Sequence, residues 1–298
     1  MEHLVTEKPN PNSHNLDELT SLQLVELMNS EDAYVSTAVG TQRVQIATAI
    51  DLLVPRVRLG GRLFYVGAGT SGRLGVLDAA ECPPTFNSPP QMVVGIIAGG
   101  DVALRHAVEG AEDDSEQGAH DLQTAGFTEL DTVVGIATSG RTPYVQGALR
   151  WARQIKSLTI GLSCNPESEL HQIAELMITP VVGPEILSGS TRLKAGTATK
   201  MVLNMISTGL MVALGKTYGN RMVDLRATNV KLRDRSVRMV CEIAQVDRPT
   251  ALDALQTCAG EVKTAIVLLR RQIPPDAARL ALQSHAGSLR NALMDGNQ

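Results

Sequence analysis

Five short apolar runs, each of strand length and none alternating, constrain this chain more than any other feature. They are Leu63 to Val66, Met92 to Ala98, Thr132 to Ala137, Leu158 to Leu162 and Leu176 to Val182, separated by stretches of helical spacing. Alternation would mark a sheet with one wet face, and its absence marks strands buried on both faces. Strands alternating with helices predict a doubly wound α/β domain with a parallel sheet and right-handed crossovers. A chain of 298 residues has room for that domain and one smaller one.

Helical patterns flank the strand region. Ser30 followed by Glu31 and Asp32 reads as an N-cap with acids in the first turn. Beyond it Val35, Val39, Ile46, Ile50 and Leu53 recur at helical spacing up to Pro55 and the Gly60-Gly61 break. Residues 1–54 are therefore a helical segment packing on the central domain, which spans residues 55–220. From about Thr191 to Leu214 the apolar positions predict one long amphipathic helix. Past Gly219 no strand signal remains. Residues 226–298 read as a small helical subdomain on the scale of a three-helix bundle, punctuated by Asp247-Arg248-Pro249, Gly260 and Pro274-Pro275.

Composition narrows the function. The formal charge of −4 gives no basic field for nucleic acid or an anionic membrane, and 3% aromatic residues give no stacking platform. No apolar run spans a bilayer, and Met1 to Asn15 lacks the basic-then-apolar order of a signal peptide. Cys82, Cys164, Cys241 and Cys258 show no paired spacing, as expected of buried thiols in a reducing, cytoplasmic setting. The six histidines form no ligand pair, so no metal site is expected.

Two loops stand out. Thr70-Ser71-Gly72-Arg73 follows the first strand, and Thr138-Ser139-Gly140-Arg141 follows the third. Gly, Ser and Thr at the carboxyl end of a strand expose N–H groups and hydroxyls at a helix start, which suits an anion. Simple helix capping is the plain alternative for each. Gly67-Ala68-Gly69-Thr70-Ser71-Gly72 also fits the dinucleotide fingerprint, but the second strand runs into Ala98-Gly99-Gly100 before Asp101, where that reading needs an acid. Gly215-Lys216-Thr217 resembles the end of a nucleotide P-loop, yet Leu210 replaces its first glycine and the segment closes a helix. A third loop, Gly183 to Lys194, precedes the long helix. Either Ser190 or Thr191 caps that helix and Lys194 is solvated, or the loop closes a third side of a pocket.

These segments carry a resemblance. Gly67 to Arg73, Glu81-Cys82-Pro83-Pro84-Thr85-Phe86, Ala137 to Thr142, Gly183 to Lys200 and the opening Thr6-Glu7-Lys8-Pro9-Asn10 are similar to the N-acetylmuramic acid 6-phosphate etherase family. The Gly183 motif is shared with glucokinase regulatory protein. The resemblance covers about residues 5 to 298 and implies a sugar isomerase (SIS) domain of flavodoxin-like topology. It implies cleavage of the D-lactyl ether by elimination and hydration, without a cofactor or metal; a non-catalytic sugar-phosphate regulator is the alternative. By the same resemblance Glu81 is the acid and Glu112 the base. Thr70, Ser71, Ser139 and Thr142 are the phosphate-binding hydroxyls, with Gly69, Gly140, Glu185 and Lys194 as further substrate-binding residues. Ser71 and Glu81 are ten residues apart, about 15 Å on an unbroken helix. Either that helix ends early or a second subunit of a homodimer supplies Glu81.

Overall fold

The computed structural model describes residues 4–224 and 230–295. Each apolar run becomes a strand: β1 Leu63–Gly67, β2 Val93–Ile97, β3 Thr132–Ile136, β4 Leu158–Leu162 and β5 Leu176–Ile178. β1, β3 and β4 are buried throughout, which is why their sequences do not alternate. All pairings are parallel, in the order β2-β1-β3-β4-β5. Strand order reverses between β1 and β3, the switch point of a flavodoxin-like sheet. The fifth run leaves the sheet after Ile178, so its last four residues are loop.

Before the sheet come α1 Ser21–Thr41 and α2 Arg43–Arg58. The first begins ten residues earlier than its sequence suggested. Thr20 and Gln23 form a reciprocal capping box, whereas Ser30 lies inside the helix with its hydroxyl donating to the Leu27 carbonyl. The reason is visible at Glu31, whose carboxylate turns inward and is not a first-turn acid facing solvent.

Helices α3 Gly69–Phe86, α4 Val102–Arg105, α5 Ser115–Thr124, α6 Pro143–Gln154 and α7 Leu170–Ile173 connect the strands, and α8 Lys194–Ala213 follows them. Phe64, Val66, Leu122, Val133, Tyr144 and Leu149 form a core beneath one face of the sheet. The chain divides into two compact units, Met1–Ala80 with Pro90–Ser207, and Glu81–Pro89 with Thr208–Gln298. The second unit holds a hairpin, β6 Thr217–Tyr218 and β7 Arg221–Met222, turned at Gly219-Asn220. Two-residue strands are too short to leave a pattern, so the hairpin was invisible in the sequence. Among the described residues five helices follow where three were expected: α9 Val230–Ala244, α10 Arg248–Thr257, α11 Val262–Arg271, α12 Pro275–Ser284 and α13 Leu289–Met294. They bury Val237, Val240, Ala251, Ile266, Ala278 and Leu289 in a core of their own.

Candidate active site

The two hydroxyl loops follow adjacent strands, β1 and β3, at the switch point. The first is hardly a loop. Only Ala68 separates β1 from α3, so Thr70 and Ser71 are already helical and half-buried. Gly72 permits this: a Cβ there would lie 2.7 Å from the Gly67 carbonyl oxygen and 2.6 Å from Ile97 Cγ1. The helix start therefore rests directly on the strand end.

The second is a true turn. Gly140 has φ +71°, and its N–H donates to the Ala137 carbonyl at 2.8 Å. A Cβ at Gly140 would stand 2.1 Å from that of Ser168. Three donors converge on the Thr138 carbonyl, just before Ser139. They are the Cys164 N–H at 3.0 Å, Asn165 Nδ2 at 2.9 Å and Ser163 Oγ at 3.2 Å. Burial pushes the Cys164 thiol up to about 12, with the charge of Glu185 adding to it. Thr142 is the N-cap of α6, yet its hydroxyl makes no cap bond. Capping therefore does not account for Thr142.

In the third loop, neither Ser190 nor Thr191 is the side chain found on the first amides of α8. Fully buried Glu185 takes the Lys194 N–H at 3.0 Å and the Ala195 N–H at 2.9 Å. Burial raises the pKa of Glu185 despite those bonds. Lys194 is not solvated: it is 3% exposed and its Nζ pairs with Glu31. Burial works against the charge on Glu31, but Lys194, Asn12 and Asn10 outweigh it and hold the carboxyl below its ordinary range. Both side chains thus anchor the loop.

The acidic run at 109–116 sorts itself by geometry. Asp114 caps α5 by accepting from the Gln117 N–H at 2.9 Å. Glu112 sits in a 3-10 turn, Ala111–Asp113, entered through left-handed Gly110. It lines a cavity of about 210 Å³ together with Gly69, Arg73, Ala98, Val108 and Glu109. Glu112 and the start of the first hydroxyl loop therefore share one pocket. Arg73 Nε donates to the Leu104 carbonyl at 3.2 Å, which holds the guanidinium at that wall. Glu109 and Arg73 are pocket residues that the sequence left outside its main set; Arg73 had a signal, one turn after Gly69 on the same helix face.

Glu81 is exposed and lies on α3, in the second unit. That helix runs unbroken through Gly69–Phe86, so of the two alternatives the one in which it ends before Glu81 is not met. Among the described residues, no group of three or more His, Cys, Asp or Glu side chains is disposed to hold a metal ion. Among them, too, no helix is long and apolar enough to cross a membrane.

A parallel sheet in this order, with hydroxyl-rich turns at its switch point, defines a SIS-type domain. Residues 45–153 match the model of the glucokinase regulatory protein N-terminal SIS domain. A phosphoheptose isomerase from Francisella tularensis shares the fold with a TM-score of 0.51 at 19% identity, over 64% of this chain and 100% of that one. Much stronger likeness comes from N-acetylmuramic acid 6-phosphate etherases. That of Rhodopirellula baltica is 56% identical over 293 residues, 98% of this chain and 97% of its own. That of Pectobacterium atrosepticum is 54% identical over 98% of this chain and 97% of its own. The chain belongs to the N-acetylmuramic acid 6-phosphate etherase family.

Proposed function

We propose that this chain is an enzyme that splits the D-lactyl ether of N-acetylmuramic acid 6-phosphate with water, giving N-acetylglucosamine 6-phosphate and D-lactate in cell-wall recycling. The observation that carries this reading is Glu112 in one cavity with Gly69, at the strand-end loop that begins the family's hydroxyl motif. Full-length identity to etherases supports the same assignment.

In the open-chain sugar the aldehyde acidifies the C2 proton. Glu112 takes that proton as base, the C3–O bond breaks, and its electron pair leaves with the lactyl oxygen. Glu81 protonates that oxygen as acid. Water then adds across C2=C3, placing hydroxyl on C3 and a proton on C2. Thr70, Ser71, Ser139 and Thr142, with the backbone N–H at Gly69, grip the phosphate, while Gly140 shapes the turn that presents Ser139. Glu185 and Lys194 hold the third loop behind them.

Glu81 stands ten residues beyond Ser71 on one continuous helix, about 15 Å along its axis. That exceeds the reach from a sugar's phosphate to its C2 and C3. A homodimer in which the second subunit supplies Glu81 resolves the mismatch, and we place this dimer in the cytoplasm.

The test is D-lactate release from N-acetylmuramic acid 6-phosphate by the parent chain, Glu81→Ala and Glu112→Ala. Each substitution should lower release by about 10²–10⁴-fold. Mixing the weakly active Glu112→Ala and Glu81→Ala variants should restore part of the activity through mixed dimers. A parent chain that binds the sugar phosphate but frees no lactate would be a regulator, and the assignment would fall.

A further inference from the structure

We propose that the N-terminal segment Thr6–Asn12 is a working part of the sugar-phosphate site, with Asn165 as the positioning residue that couples it to Ser139. The inference rests on the phosphate-binding role given above to the second hydroxyl loop. It gives the opening Thr6-Glu7-Lys8-Pro9-Asn10 motif a job that the reaction scheme alone leaves unassigned.

Thr6 is fully buried and Asn165 is 1% exposed. The Thr6 N–H donates to Asn165 Oδ1 at 3.4 Å, and Asn165 Nδ2 donates back to Thr6 Oγ1 at 3.1 Å. The other hydrogen of Nδ2 goes to the Thr138 carbonyl at 2.9 Å. Both N–H groups of one amide are thus divided between the N-terminal segment and the peptide that carries Ser139. No other side chain of that size offers two donors and an acceptor on one rigid plane. Removing one partner leaves a buried donor unpaired, so the loop must shift or lose the bond.

The same segment reaches the third loop. Asn10, 3% exposed, donates from Nδ2 to Glu31 Oε2 at 2.9 Å and to the Pro184 carbonyl at 3.1 Å. Asn12 Nδ2 donates to the other Glu31 oxygen at 2.8 Å. Glu31 in turn pairs with Lys194, at the helix start that Glu185 caps. Seven residues of chain therefore brace two of the three strand-end loops, chiefly through the saturated buried amides of Asn10 and Asn165. A misplacement of about 1 Å in such a loop is enough to lose binding or rate.

The experiment is titration calorimetry with N-acetylglucosamine 6-phosphate on the full chain, comparing the parent, Thr6→Val, Ser139→Ala and the double variant. Thr6→Val keeps the side-chain shape and the backbone N–H while deleting the hydroxyl that Asn165 uses. It should weaken binding about tenfold, and the double variant should bind little worse than Ser139→Ala alone. Thr6→Ser should restore the parent affinity. An unchanged affinity in Thr6→Val alongside a lowered melting temperature would make the segment a mere stabiliser and overturn the proposal. Fully additive losses would do the same by showing that it acts elsewhere. D-lactate release by the parent is read separately, so a failed etherase assignment is distinguished from a failed coupling.

Discussion

Thr70-Ser71-Gly72-Arg73 and Thr138-Ser139-Gly140-Arg141 are the same tetrapeptide at the ends of neighbouring strands, yet they fold differently. The first is helix from its start; the second is an irregular turn completed only at Pro143. Gly72 serves close approach, with the helix backbone resting on the strand end, whereas Gly140 serves a positive φ. The first loop is held by backbone packing and Ile97. The second is held by side chains from outside it: Ser163, Asn165 and, one step further, Thr6. Recurrence of a motif within a chain thus need not bring a shared conformation: both tetrapeptides place hydroxyls at a strand end, one set in a helix and the other in a turn.

That contrast breaks or sharpens under substitution. The largest effect belongs to the glycines. Gly140→Ala meets both a strained φ and Ser168, and should cost about 3 kcal/mol; Gly72→Ala meets unyielding backbone and should cost about 2 kcal/mol. Urea unfolding measures both, and equal, negligible costs would erase the distinction between the loops. Next come the hydroxyls. Ser71→Ala and Ser139→Ala should each raise the KM for the sugar phosphate about tenfold with kcat less affected. If only one of them responds, the phosphate rests on one loop and the parallel between them is lost. The smallest effect is that of acid. Glu31 has a lowered pKa in the folded chain, so its contribution to stability is present above the ordinary carboxylate range and is lost as pH falls through the lowered value. Hydrogen exchange on stepwise acidification should show the second loop and the N-terminal segment loosening before the first loop. The reverse order would mean that the polar bracing is not what holds the second loop.

Much of this arrangement was legible in the sequence. Strands buried on both faces must be uniformly apolar, so β1, β3 and β4 announced themselves and with them the parallel sheet. The hydroxyl loops were legible because the same Thr-Ser-Gly-Arg turn recurs after two strands of one sheet. What stayed hidden depended on partners distant in sequence. Glu31 read as a first-turn acid because its partner Lys194 lies 163 residues away. Thr6 and Asn165 are 159 residues apart, and nothing local in either marks the exchange of hydrogen bonds. Glu185 displaced Ser190 and Thr191 on the amides of α8 because a buried carboxylate with two N–H donors is worth more there than a hydroxyl. That Glu112 lines the pocket was expected only from resemblance, since charge alone marks a solvated turn, and its neighbour Glu109 lines it too.

Cys164, lodged between the two residues that brace the Ser139 loop, has a consequence for redox chemistry and labelling. Burial pushes its pKa up to about 12 and leaves it 1% exposed, so the thiol stays protonated near neutral pH. Oxidants and alkylating probes act on the thiolate, so the loop is shielded from peroxide although a sulfur atom sits inside its support. Half-buried Cys241, in the helical unit, is then the natural handle for a fluorophore. It offers a way to report on that unit without first stripping the other cysteines from the chain.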